Sequence, residues 1–344
     1  MYTDIISKGE ICRRNYKEGI DAFIKRLEGE GNKRRESLFS ASDFAENIEK
    51  YRNLYIRTLG IDKIDSKDLP TPTLIEAGEC EDAKIFRAEV YITKEIPMYG
   101  LLFIPHGILG KAPLVIVQHG GYGTPELCSD LHGKNNYNRI VRRTLERGAV
   151  VFAPQLLIWN CKEALPTAPT HDVEFDRAFV DNALKRFGMS ITALEIKGIM
   201  NAVDYLTTLP FIDADKIGMT GCSYGGYFTL HTMAADTRIK AGFSNACFND
   251  RNVYPWSDWS YNNSANTFHD AELAALCAPR RLYVAVGKSD TVFDYKTAIP
   301  EAVRAKKYFD ALGCSENFVF YLWDGGHTVP DDDEGFDFLF SSLK

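Results

Sequence analysis

Four short stretches carry the chemistry this sequence offers: Gly221-Cys222-Ser223-Tyr224-Gly225, the run HGGYG from His119 to Gly123, Gly287-Lys288-Ser289-Asp290, and Gly325-Gly326-His327. The first fits G-x-S-x-G, in which a serine occupies a strained turn from a strand into a helix. Glycines flank the serine because a side chain there would collide with the tightly turned backbone, and the turn lifts the hydroxyl clear of the sheet. The N-terminus of the following helix then offers N–H groups to a developing negative charge. A serine hydroxyl is a poor nucleophile at neutral pH, so the site also needs a histidine base and a carboxylate that orients it. Asp290 and His327 follow Ser223 in that order, each at the end of its own predicted strand. Asp294 and Asp324 are further carboxylates that could serve, whereas His327 is the only histidine after the last predicted strand. Gly287-Lys288-Ser289 imitates the end of a phosphate-binding loop, but Leu282 stands where the earlier glycine must be, so that reading fails.

Such groups must be held by a rigid scaffold, and the hydrophobic periodicity supplies one. Residues 84–92 and 98–105 alternate with period two and read as antiparallel strands. Short apolar runs follow at 113–119, 149–157, 216–222, 239–246, 280–287 and 317–323, with helical stretches at 137–148, 191–209 and 295–312 between them. Strands alternating with helices in this way imply a mostly parallel central sheet covered on both faces. Functional groups gather at the carboxyl ends of such strands, where all four polar stretches lie. Before the sheet, Ile20, Phe23, Ile24 and Leu27 share one face of a helix. The charge run KRLEGEGNKRRE (residues 25–36) reads as a solvated face and a break. A second helix begins at a serine cap signal and stops at Gly60, and DSKDLPTPTL (residues 65–74) reads as a linker.

The 344 residues carry 40 Lys and Arg against 47 Asp and Glu, a net charge of -7. That balance speaks against a nucleic-acid surface and an anionic membrane as partners. The N-terminus shows no apolar core behind a basic start, and no apolar run reaches spanning length, so a cytoplasmic protein is expected. The eight cysteines are scattered with no C-x-x-C pair, which predicts free thiols and no metal centre; no cofactor is expected either.

HGGYG, GCSYGG, APRRLYVAVGKSD and DGGH, in this order, resemble the α/β-hydrolase superfamily, and within it the acetyl-xylan-esterase-like and dienelactone-hydrolase-like branch. The resemblance spans about residues 85–344 and implies an α/β-hydrolase catalytic domain (76–344) preceded by a helical extension (1–75). It implies Ser223 as nucleophile, His327 as general base and later acid, and Asp290 as the orienting acid. The oxyanion hole would use the N–H of Tyr224 with that of Gly121, Tyr122 being the second candidate. His119 would be structural, and His106, His132, His171, His231 and His269 surface or packing residues. Dienelactone hydrolases place cysteine at the nucleophile position; this chain has Ser223 there, with Cys222 pointing into the sheet packing.

Two irregular stretches are expected to shape the pocket. Asn249 to Asp270 holds Tyr254, Trp256, Trp259 and Tyr261, and a second stretch, LLIWNCKEALPTAPTHD (residues 156–172), holds Trp159. Aromatic rings among hydrogen-bonding side chains suit a sugar, although an aromatic loop packed on the domain accounts for them as well. The combined expectation is a serine esterase acting on a small-molecule or oligosaccharide ester, most simply a carbohydrate deacetylase, with a homo-oligomer open. A serine peptidase or amidase on the same sheet, and a silent ligand-binding relative, are the alternatives.

Overall fold

The computed structural model describes residues 5–131, 135–158 and 176–344. Among them nine strands form one sheet: β1 (Thr73–Glu79), β2 (Ala83–Thr93), β3 (Ile96–Pro105), β4 (Ala112–Gln118), β5 (Val150–Pro154), β6 (Ile212–Cys222), β7 (Ile239–Asn245), β8 (Arg281–Gly287) and β9 (Phe318–Trp323). The order is β1-β2-β3-β5-β4-β6-β7-β8-β9. β1, β2, β3 and β5 pair antiparallel, and from β5 through β9 the pairing is parallel. This is the mostly parallel sheet that the strand and helix alternation predicts. The helices are α1 (Ile6–Leu38), α2 (Ala41–Leu59), α3 (Pro125–Cys128), α4 (Ile140–Leu145), α5 (Arg177–Lys185), α6 (Ile191–Leu206), α7 (Tyr224–Ala235), α8 (Ser264–Thr267), α9 (Asp270–Cys277), α10 (Tyr295–Ala311) and α11 (Glu334–Phe340).

The central strands are buried on both faces, so they read as continuous apolar runs, yet each side chain still chooses a face by its parity. Leu114 and Ile116 of β4 join the layer that holds Ile196, Ile199 and Val203 of α6 and Phe228 of α7. Val115 and Val117 join the opposite layer, with Ile140 and Val141 of α4 and Phe336 and Leu339 of α11. Among the described residues no helix is long and apolar enough to cross a membrane.

The N-terminal helices depart from the sequence reading. α1 runs through the charged stretch to Leu38 without the expected break. Gly31 is a packing device there: a Cβ on it would lie 2.6 Å from the Ala265 carbonyl oxygen of α8. The chain turns instead at Phe39 and Ser40, whose hydroxyl accepts the Asp43 N–H and caps α2. α2 ends at Gly60, which takes φ 91°, the left-handed conformation glycine adopts without steric cost. α2 is built into the core. Phe44 and Tyr55 are fully buried, and the Tyr55 hydroxyl meets Nδ1 of His231 at 2.7 Å. The stretch read as a linker ends in β1, which crosses the boundary expected at residue 75; this edge strand is exposed along nearly its whole length, so no apolar alternation marks it.

Candidate active site

β6 delivers Ser223 at its carboxyl end, and α7 begins one residue later. Ser223 takes φ 60° and ψ -117°, a strained conformation for a residue with a side chain. Its neighbours enforce it. The Ser223 N–H donates to the Asn245 carbonyl at the end of β7 (2.9 Å), and its carbonyl accepts the Tyr227 N–H (2.9 Å). A Cβ on Gly221 would lie 2.5 Å from the Gly225 backbone and 2.6 Å from the Gln118 oxygen, so the turn closes only with glycine at that position. The G-x-S-x-G spacing is thus a steric requirement of the sharp strand-to-helix turn.

Asp290 follows β8 and His327 follows β9. Nδ1 of His327 lies 2.8 Å from Oδ2 of Asp290. The other oxygen, Oδ1, accepts the N–H groups of Val292 (2.7 Å) and Phe293 (3.0 Å), which aims the carboxylate. The Asp290 side chain is fully buried, while His327 keeps 17% of its side chain exposed. Because a carboxylate only accepts, Nδ1 of His327 carries the proton and Nε2 presents its lone pair. The two loops are tied by backbone bonds from Lys288 N to Trp323 O (2.9 Å) and from Ser289 N to Gly325 O (2.8 Å). Asp294 instead caps α10, accepting the Lys296 N–H at 2.9 Å, and Asp324 pairs with exposed Lys288 at 2.7 Å.

A cavity of about 290 Å³ opens over these groups. Ser223 and His327 line it together with Gly121, Tyr122 and Tyr224, the residues expected to supply oxyanion donors, and with Gly120, Asn136, Tyr137, Cys222, Trp256 and Val292. His119 is buried beneath them and holds the loop. Its Nε2 accepts the Leu156 N–H at 2.9 Å, so Nδ1 carries the proton and donates to the Gly120 carbonyl at 2.8 Å. Burial pushes its pKa down to about 4, leaving a neutral spacer. The Gly120 N–H donates to the Tyr137 hydroxyl at 2.8 Å, and Gly121 and Tyr122 follow it along the cavity wall. Cys222 is fully buried, and burial raises its thiol pKa strongly.

The aromatic stretch divides. Trp256 is half-buried, lines the cavity and lies parallel to the Tyr224 ring at 6.1 Å. Trp259 does not reach the cavity: it is 2% exposed, stacked on Tyr227 at 4.7 Å and on Phe293 at 5.6 Å, with the Arg251 guanidinium over its ring. Its expected role against a ligand is replaced by packing. Tyr254 is likewise outside the lining; its hydroxyl accepts the Asp294 N–H at 2.8 Å and ties the stretch to the start of α10. Trp159 lies outside the described residues.

Two features of the site have no local signature in the sequence. Arg177, at the start of α5, is buried and donates to Asp258 (2.6 Å), to Glu195 (2.7 and 3.0 Å) and to the Leu157 carbonyl (2.7 Å). Burial alone would lower its pKa, but the two carboxylates outweigh that and raise it. The Tyr224 hydroxyl reaches the same Asp258 at 3.3 Å, so this ion cluster underpins the cavity wall. Asn136 is the second feature. It donates to the His327 carbonyl at 2.8 Å and receives the Thr328 hydroxyl, locking the histidine loop to the segment before α4. Their partners lie 18 to 192 residues away, too far for a spacing rule to find them.

The comparisons with known proteins agree with this architecture. A model of the prolyl oligopeptidase family (Peptidase_S9) matches residues 191–274, from α6 into α9 and across Ser223. No curated protein matches the chain. Among solved structures, a provisionally assigned acetyl xylan esterase from Bacteroides fragilis is similar at 16% identity and TM-score 0.66, covering 89% of this chain and 84% of its own. A glucuronoyl esterase from Solibacter usitatus is similar at 16% identity and TM-score 0.59, with 85% and 91% covered. Acetyl xylan esterase 1 from a Thermoanaerobacterium species is similar at 15% identity and TM-score 0.58, with 87% and 94% covered. The chain therefore has the α/β-hydrolase fold.

Proposed function

We propose that the protein is a serine esterase that hydrolyses carboxylic esters, with an esterified carbohydrate as its substrate. The observation that carries this reading is the Asp290–His327 hydrogen bond at the rim of the cavity into which the strained turn presents Ser223. Nε2 of His327 takes the Ser223 proton as Oγ attacks the ester carbonyl, and Asp290 supports the imidazolium that forms. The oxyanion is held by the N–H groups of Tyr224 and of Gly121 or Tyr122. Collapse of the intermediate expels the alcohol, which takes the proton from His327, and leaves an acyl-enzyme. Water then attacks the acyl carbon, its proton passing to His327 and on to Ser223 as the acid departs.

The carbohydrate half of the reading is supported by Trp256 at the cavity wall and by the fold neighbours that act as acetyl xylan and glucuronoyl esterases. The seven described cysteines are all free, which supports a cytoplasmic setting. A second reading, peptide or amide hydrolysis, is favoured by the match to the prolyl oligopeptidase family. Acetate release from acetylated xylo-oligosaccharides, measured beside an aryl acetate and a peptidyl amide, separates the two. Turnover of the sugar ester at a kcat/KM above that of the amide is the expected result, and the reverse order refutes the esterase reading.

A further inference from the structure

Every residue of α1 from Ile6 to Leu27 is exposed, and along the whole helix only Gly31 and Arg35 are buried. These two pack on α8, where Arg35 donates to the Ala265 carbonyl, and Arg35 also lies 3.5 Å from buried Glu272 of α9. The rest of α1, 22 residues and about 33 Å at the helical rise, stands in solvent. A solvent helix of that length is marginal by itself. Its surface is not that of a solvated rod, because Tyr16, Ile20, Phe23, Ile24 and Leu27 form one apolar face at 43–75% exposure. Tyr16, Gly19, Ile20 and Phe23 also line a shallow concavity of about 280 Å³.

Over Tyr16, Ile20, Phe23 and Leu27 the spacing along this face is that of a coiled-coil seam. Ile6, Arg13, Ile20 and Leu27 recur every seven residues, and Gly9, Tyr16 and Phe23 fall three residues after the first three of them. The charges are segregated along the axis. Residues 8–17 carry four cations and one carboxylate, whereas residues 18–30 carry four carboxylates and two cations. A partner that matches both patterns is the same helix running the other way.

We propose that α1 pairs antiparallel with α1 of a second copy of this chain, forming a two-fold dimer centred near Glu18. An isologous contact joins one patch to itself, and for a protruding rod a perpendicular two-fold does so side by side. The pairing sets Tyr16 against Ile20, Arg13 against the Phe23 ring, and Leu27 against Gly9 of the other helix. The basic half of each helix then faces the acidic half of its mate; a parallel pair would set like charge on like. The seam ends at Gly31 because from there the same face is occupied by α8 of its own chain.

The test is analytical ultracentrifugation of the full chain from 1 to 100 µM beside Ile20→Glu and Phe23→Glu, with hydrolysis of an aryl acetate confirming that each variant is folded. A dimer is expected, and each substitution should raise its Kd by about 100-fold or more. For orientation, a short bismaleimide is applied in a Cys12→Ser background to Lys17→Cys and to Glu30→Cys. The antiparallel pair links the first and not the second, since two copies of residue 30 lie about 36 Å apart. A protein that is monomeric at 100 µM, a dimer indifferent to both glutamates, or linkage through residue 30 overturns the proposal. So does a monomer that sediments with anionic phosphatidylglycerol vesicles, which would make α1 a membrane-surface helix instead.

Discussion

Replacing Asp290 by asparagine changes one atom and reverses the direction of one hydrogen bond. In the structure Oδ1 accepts two backbone N–H groups, from Val292 and Phe293, and Oδ2 faces Nδ1 of His327. An amide keeps its oxygen on the two N–H donors, so its NH₂ group lands where Oδ2 was and donates toward Nδ1. The imidazole must then carry its proton on Nε2, the position from which it has to accept the Ser223 proton. The fold loses little, because both backbone bonds survive and no charge is stranded. Catalysis loses both the correct tautomer and the support of the imidazolium. In the triad template this costs about 10⁴ in kcat, or roughly 5 kcal/mol at 1.36 kcal/mol per decade. The assay is steady-state hydrolysis of an aryl acetate, with Tm measured on the same preparations. Expected are a fall in kcat of three to four decades, a KM within a few-fold of the parent, and a Tm within a few degrees. Asp294→Asn and Asp324→Asn, which alter a helix cap and a surface pair, should retain most activity. A fall of less than tenfold for Asp290→Asn, or an equal fall for Asp324→Asn, would refute the assigned geometry.

The same geometry sets three further outcomes. Ser223→Ala should abolish both turnover and labelling by a fluorophosphonate, while thiol alkylation of the folded parent should leave activity intact because Cys222 is buried and its thiol pKa raised; labelling of Cys222 would contradict this. Trp256→Ala should lower kcat/KM several-fold more on an acetylated oligosaccharide than on an aryl acetate, whereas Trp259→Ala should act through stability, costing about 3–5 kcal/mol and about 10 °C in Tm; equal kinetic selectivity from both variants would undo the distinction. Burial, reinforced by neighbouring Glu272, pushes the Glu301 carboxyl up to about 7, so the folded state holds a proton that the unfolded chain releases near pH 4.5. Its contribution is complete below pH 4.5 and is lost as pH rises through 7. Tm should therefore fall from pH 5 to 8, and Glu301→Gln should flatten that slope; an unchanged slope would count against it.

The sequence by itself determined the strands from β2 to β9, their order along the chain and the strand ends at which the chemistry sits, while the exposed edge strand β1 left no mark in it. These are local matters. Burial on both faces makes β4, β5, β7 and β8 apolar runs, and the steric demands of a sharp turn write Gly221 and Gly225 around Ser223. Asp290 and His327 were legible as a polar residue at the end of each of two such runs. The residues alone left Asp290, Asp294 and Asp324 open and the family resemblance pointed to Asp290; the paired loops after β8 and β9 are what bring its carboxylate to Nδ1.

Only the tertiary structure decided which aromatic rings meet the cavity. Trp256 and Trp259 are three residues apart in an irregular stretch with no periodicity, so nothing in their spacing says that one turns outward and the other inserts between Tyr227 and Phe293. The same holds for Arg177, whose buried partners come from α6 and the turn at Asp258. It holds for Gly31 too, whose missing side chain reads as a helix break until α8 is seen against it. Local sterics and burial are properties of neighbours along the chain and are written there. Contacts that cross the chain depend on where the sheet and its helices bring distant residues, and that is settled only when the whole core packs.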